Sequence, residues 1–230
     1  MPDLALLDRR LYAMRDVDGH LGLKPGTARR WIDGYRRGER EYPPVIRERR
    51  TGDDTVSWGE FVETKLLADF RERGAPLQSL RPAVQRLRQE LSTPYPLATA
   101  EPYLELHGKE LVARIQEASG VAPTVRLIVL RSGQFVLTPT VARFVDMAHF
   151  EGGFIRSLKT DSETPEVAID PLRARGRPAI RSVPTEVLAE GFRAGEALGE
   201  LAGLYELSVE QVLQAIRFEM RAQRERESAA

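Results

Sequence analysis

Residues 17–31, Val-Asp-Gly-His-Leu-Gly-Leu-Lys-Pro-Gly-Thr-Ala-Arg-Arg-Trp, place a short apolar stretch, a glycine- and proline-marked turn and the start of an arginine-bearing helix in one tight unit. So short a turn fixes the second helix against the first, and the duplex major groove admits one helix presented in that way. The second helix reads from Thr27, a good N-cap, through Arg37. Ala28, Trp31, Ile32 and Tyr35 recur at helical spacing on its packed side. Arg29, Arg30, Arg36 and Arg37 are left to face outward. Beyond it, residues 42–47 and 55–58 read as two short strands joined by the turn-rich Thr51-Gly52-Asp53-Asp54, which makes a wing. The first expectation is a winged helix-turn-helix that meets DNA.

The charge distribution agrees. The whole chain balances 34 basic against 34 acidic residues, yet residues 24–50 hold nine Lys or Arg against four Asp or Glu. A neutral chain with one basic region suits a protein that meets phosphates on a single face, because each cation near the backbone releases counterions. The candidate DNA contacts are therefore Lys24, Thr27, Arg29, Arg30, Arg36, Arg37, Arg47, Arg49 and Arg50. The competing reading is an ordinary solvated surface.

At 230 residues, 42% apolar and 30% charged, the chain can bury one large or two small cores and is not composed like a disordered one. Having no cysteine, it cannot use disulfides, thiolate catalysis or thiolate metal sites, and it fits a reducing compartment. No apolar run nears the ~20 residues of a membrane span. The opening Met1-Pro2-Asp3-Leu4 lacks the pattern of a signal peptide. A cytoplasmic protein with no membrane contact is expected.

The expected fold class is α+β, with a first domain at residues 1–93 and a second at 94–230. In the first, Phe61, Val62, Leu66, Leu67 and Phe70 mark an amphipathic helix over 58–73, capped by Ser57 and ended by Gly74. Leu80, Val84, Leu87 and Leu91 mark a second helix, with Pro82 tolerable in its first turn. Ser92-Thr93-Pro94-Tyr95-Pro96 then breaks the pattern. In the second domain, residues 125–130 and 134–137 read as a hairpin around Arg131-Ser132-Gly133. Strands at 103–106 and 154–158 and helices at 110–118 and 139–149 complete a small mixed sheet, and 161–165 reads as an exposed loop. Pro184 opens a helix over 185–194, another covers 196–205, and Ser208 caps a third bearing Val209, Val212, Leu213, Ile216 and Met220. These three make a helix-turn-helix-like carboxy-terminal unit, and residues 224–230 read as a frayed end.

Nothing in the chain assembles a reaction centre. His20, His107 and His149 lie in separate segments without a carboxylate or nucleophile at a diagnostic spacing, so neither catalysis nor a metal site is expected, and no cofactor. Gly152-Gly153 is followed by no Lys-Ser or Lys-Thr pair and reads as a turn. Trp31, Tyr35 and Trp58 read as packing residues rather than a base-stacking platform. The second sharp feature is Arg175-Gly176-Arg177-Pro178-Ala179-Ile180-Arg181, whose glycine, proline and three arginines could bind phosphate, RNA or an acidic protein pocket. Equally, those arginines could pair locally with Glu186 or Glu190.

Asp170-Pro171, the Gly176–Arg181 run, Pro184-Thr185-Glu186-Val187-Leu188, Ala194-Gly195-Glu196 and Leu207-Ser208-Val209-Glu210-Gln211-Val212 together resemble the domain of unknown function found in many VapB-type antitoxins of mycobacteria and other bacteria. The amino-terminal part resembles a MerR-type winged helix, so the whole is similar to the larger, two-domain VapB antitoxins. One departure is Ser182-Val183 after the Ile-Arg pair, where the family commonly has Gly and a small or β-branched residue. The resemblance implies a VapC partner, a PIN-domain ribonuclease with an acidic metal site, and repression of the shared operon. It also implies toxin contacts at Arg175, Arg177 and Arg181, since an inserted guanidinium can replace a cation among carboxylates. A homodimer is expected from two-fold operators, with the apolar stripes at 58–91 and 208–220 as candidate interfaces. The rival expectation is a MerR-like, ligand-responsive regulator without a toxin.

Overall fold

The computed structural model describes residues 4–72, 77–159 and 162–228; the helix stop expected at Gly74, the start of the 161–165 loop at Asp161 and the last residues of the tail lie outside them. The fold is α+β, built from helices and small sheets. The chain opens with α1 (Leu4–Leu7), β1 (Arg10–Ala13), α2 (Met14–His20) and α3 (Thr27–Ile32). A hairpin of β2 (Tyr35–Arg37) and β3 (Arg40–Tyr42) comes next, then β4 (Thr55–Ser57).

Helix α3 departs from expectation at both ends. Thr27 is its first residue rather than its cap, because Gly26 takes a left-handed conformation ahead of it. The capping oxygens come from Asp18 of α2, which accepts the Gly26 and Ala28 amides, each at 2.7 Å. The helix stops at Ile32, not Arg37. Gly34 adopts φ +71° with the Tyr42 carbonyl where a Cβ would stand at 2.6 Å, a turn that only glycine makes cheaply. Arg36 and Arg37 therefore lie on strand β2, and Tyr35 stacks on Tyr42 rather than packing within a helix.

The strand pairing also differs. Residues 42–47 do not pair with 55–58; β3 pairs with β2, and β4 pairs antiparallel with β1 through Tyr12↔Val56 and Ala13↔Thr55. The hairpin thus follows α3 directly, with Gly38-Glu39 at its tip.

Helix α4 (Trp58–Arg71) begins as expected at Ser57: its hydroxyl accepts the Glu60 amide at 3.2 Å and the Glu60 carboxylate accepts the Ser57 amide at 2.9 Å. Helix α5 (Arg81–Glu90) follows with Pro82 in its first turn. Residues 101–104 form a helical turn, α6 (Glu101–Leu104), in place of the expected strand, and the Tyr103 hydroxyl donates to the Leu97 carbonyl at 2.8 Å. Helix α7 (Leu106–Ala118) packs on a hairpin of β5 (Ile128–Arg131) and β6 (Gln134–Leu137), closed by Ser132-Gly133 in left-handed conformations. Helix α8 (Pro139–Met147) yields to strand β7 (Ala148–Glu151), so the helix expected over 139–149 ends two residues early.

Strand β7 pairs with β8 (Phe154–Lys159) across the Gly152-Gly153 turn, and β9 (Ala168–Ile169), β10 (Ala179–Ile180) and β11 (Val183–Pro184) extend the sheet in the order β11-β10-β9-β8-β7. Every pairing in it is antiparallel, not mixed. The connections are too short for the crossover that parallel strands require. Helices α9 (Thr185–Arg193), α10 (Leu198–Leu204) and α11 (Val209–Ser228) close the chain, the last capped at Ser208, whose hydroxyl accepts the Gln211 amide at 3.1 Å.

One apolar core runs from Leu7 to Ile169 and so lies on both sides of residues 93 and 94. A smaller core joins Val167 and Ile180 to Leu188, Leu201, Val212 and Ile216. Trp58 is fully buried in the larger core and its indole N–H donates to the Ile155 carbonyl at 2.8 Å, which fastens α4 to β8. Burying a side chain of this size stabilises the fold by about 2–3 kcal/mol.

Candidate nucleic-acid interface

Helix α3 divides its residues sharply. Ala28 and Ile32 are buried against the core, while Arg29 and Arg30 are exposed. Arg29 pairs with Asp54, and the Arg30 guanidinium donates to the Gly26 carbonyl at 3.1 Å and the Thr27 hydroxyl at 3.3 Å. Arg30 is thereby laid along the turn that precedes the helix, while Arg29 reaches the segment ahead of β4; Lys24, in that turn, is exposed. Thr27 is half-buried at the helix start.

The hairpin follows α3 in the chain and carries further exposed arginines. Tyr35 and Tyr42 stack face to face, centroids 4.5 Å apart and planes 3° from parallel, which stiffens a two-stranded ribbon that could not hold itself. Arg40 lies over the Tyr42 ring at 5.1 Å, and Arg36 donates to the Gly38 carbonyl at 3.2 Å. Arg37 is exposed beside them. Helix and hairpin together present Arg29, Arg30, Arg36, Arg37 and Arg40 within one short stretch of chain.

Arg47 does not belong to this surface. It is 8% exposed, and its guanidinium donates to Glu60 at 2.6 Å, Asp33 at 3.1 Å, the Thr51 hydroxyl at 2.7 Å and the carbonyls of Asp53 and Thr55. With all its donors satisfied inside, it ties the 51–55 loop to α4 and cannot reach a phosphate. Burial opposes the charge of Asp33, but the Thr51 and Gly52 amides, the Thr51 hydroxyl and Arg47 outweigh that and hold its carboxyl below the usual range. Arg49 and Arg50 remain exposed, Arg50 within 3.9 Å of Asp33.

The carboxy-terminal arginines do not converge. Arg177 pairs with Glu186, one of the two local partners weighed as the alternative to a bound ligand, and Arg181 donates to the Glu206 carbonyl at 3.1 Å. Arg175 is exposed at φ +55°, between Ala174 and Gly176, which are also left-handed. Gly176 is required there, because a Cβ would stand 2.5 Å from the Tyr12 hydroxyl.

Reading the residues in order missed Asp18, Asp54 and Arg40. Arg40 carried a signal, since it follows Gly38-Glu39 at a hairpin tip; Asp18 and Asp54 act on residues distant in the chain and carried none. Among the described residues, no group of three or more His, Cys, Asp or Glu is arranged to hold a metal ion, and no helix is long and apolar enough to cross a membrane.

No family model matches the chain. It is 35% identical over 221 residues to "Uncharacterized protein Rv2308" of Mycobacterium tuberculosis, covering 93% of this chain and 92% of that protein. It is 27% identical over 226 residues to "Putative antitoxin VapB45" of the same organism, covering 91% and 93% respectively. Its fold matches the crystal structure of Rv2018, also from Mycobacterium tuberculosis, with a TM-score of 0.72 and 25% identity over 91% of this chain and 99% of that one. The chain belongs to the family of Rv2308.

Proposed function

We propose that this protein is a DNA-binding antitoxin of the VapBC type, a regulator rather than an enzyme. In this reading residues 10–57 are a winged helix-turn-helix, with α3 as the helix that enters the major groove and β2–β3 as the wing. Helices α9–α11 form the helix-turn-helix-like unit of the carboxy-terminal part. The protein acts as a homodimer on a two-fold operator, neutralises a PIN-domain ribonuclease and, with it, represses the operon. The observation that carries the DNA half is the exposed arginine set of α3 continued on the hairpin. Support for the toxin half is the likeness to VapB45. Of the three arginines near residue 178, Arg175 fits a toxin contact best, being exposed on a left-handed backbone while Arg177 is tied to Glu186.

A mobility-shift titration on the DNA upstream of the protein's own gene tests this. Arg29→Ala/Arg30→Ala should weaken binding and lower the slope of log affinity against log salt by about 2, one for each phosphate that no longer meets a guanidinium. Unchanged affinity and slope would exclude α3 as the DNA-facing helix. Co-expression with the product of the adjacent gene separates the toxin half, since a chain that binds its operator yet leaves that ribonuclease active is a repressor only.

A further inference from the structure

Arg29 differs from its neighbours in what holds it. The Arg30 guanidinium donates to the Gly26 carbonyl and the Thr27 hydroxyl, Arg36 donates to the Gly38 carbonyl, and Arg40 lies over the Tyr42 ring. These partners are neutral, so those arginines keep their full charge toward solvent. Arg29 instead pairs with the carboxylate of Asp54; among the described residues, no other arginine of α3 or the β2–β3 hairpin has an acidic partner within ion-pair distance.

The acid sits in a segment that is held on both sides. The Thr51 and Gly52 amides donate to Asp33 at 2.7 and 2.9 Å, and Arg47 donates to the Asp53 carbonyl at 2.8 Å. The Asp53 carboxylate accepts the Thr55 amide at 2.9 Å and the Arg10 guanidinium at 2.6 Å, and the Asp54 carbonyl accepts the Met14 amide at 3.1 Å. The Asp54 carboxylate takes no part in that framework; it is largely exposed and its described partner is Arg29. A segment fixed so firmly cannot carry the carboxylate away when Arg29 turns to another anion. The pair must be broken, and the charge left on Asp54 repels the phosphate that replaces it.

We propose that Asp54 is a built-in competitor of DNA for Arg29, which lowers the hold of α3 on duplex of any sequence. The proposal rests on the reading of α3 as the DNA-facing helix. An exposed ion pair contributes little to folding, so the effect of this one falls on binding. Its sign separates it from a merely structural contact: loss of a supporting pair weakens DNA binding, whereas loss of a competitor tightens it.

Fluorescence anisotropy of the full chain on a random-sequence duplex at low salt tests this with Asp54→Ala, Arg29→Ala and the double variant. Asp54→Ala should tighten binding about threefold, and the gain should vanish in the Arg29→Ala background. Asp54→Asn, which keeps the shape of the native side chain, should show the same gain if Asp54→Ala disturbs the loop. In the protein without DNA, the Arg29 Nε–H should exchange with water faster in Asp54→Ala than in the wild type. Binding no tighter in either variant, a gain that survives Arg29→Ala, or an Arg29 exchange rate unmoved by the substitution would each overturn the proposal and leave the DNA reading standing. Wild-type protein that does not bind the duplex at all would remove both.

Discussion

The Asp18 carboxylate accepts the Ala28 amide ten residues downstream at 2.7 Å, so the first helix of the amino-terminal pair supplies the cap that the second lacks. Its other oxygen takes the Gly26 amide. Asp18→Ala would leave two amides at the start of α3 without an acceptor, and a cap of this kind contributes about 1–2 kcal/mol. Denaturant unfolding should show that drop in stability, and amide exchange should quicken first at residues 26–32. Exchange in α3 no faster than in α4 would show that the apolar face of α3 alone holds it.

Arg47 is buried with two carboxylates. Arg47→Met would leave Glu60 facing inward without a cation and Asp33 with only the more distant Arg50, a change that costs about 3–5 kcal/mol when one member of a buried ion group is removed. Urea titration at neutral pH should give a loss in that range. A loss below about 1 kcal/mol would mean that water replaces the guanidinium there.

Glu63 should set a pH dependence of stability. Full burial pushes its carboxyl up to about 7 from 4.5, against the pull of Arg88 on α5 and the Leu97 amide and with the added repulsion of Glu60. Because the folded protein holds this proton more tightly than the unfolded chain, the stabilisation is complete below about pH 4.5 and is lost as pH rises through about 7. The shift corresponds to roughly 3 kcal/mol across that window. Glu63→Gln should flatten the stability profile over it, as followed by thermal or urea unfolding at a series of pH values. A variant whose profile keeps the wild-type slope would place the titrating group elsewhere.

What could be read residue by residue was whatever local chemistry decides. Ser57 and Glu60 announce the start of α4, Ser132-Gly133 the β5–β6 turn, and Ser208 the cap of α11, because each device acts within four residues. The end of α3 was not legible: Gly34 turns the chain because the Tyr42 carbonyl crowds it, and that contact exists only after the hairpin folds. A count of charges placed Arg47 among the surface cations, whereas its partners Asp33 and Glu60 lie 14 and 13 positions away on other elements. The candidate interface was legible as a basic region, but not the division of its arginines between helix and hairpin.

The contact between Gly176 and Tyr12 reaches beyond stability. The turn that leads into β10 approaches the first strand so closely that the two ends of the chain share one fit: a tyrosine at 12 demands the bare backbone at 176. The amino- and carboxy-terminal halves are therefore not interchangeable cassettes. A chimera that takes either end from a relative inherits this requirement, and lineages of such proteins should change the pair together or not at all.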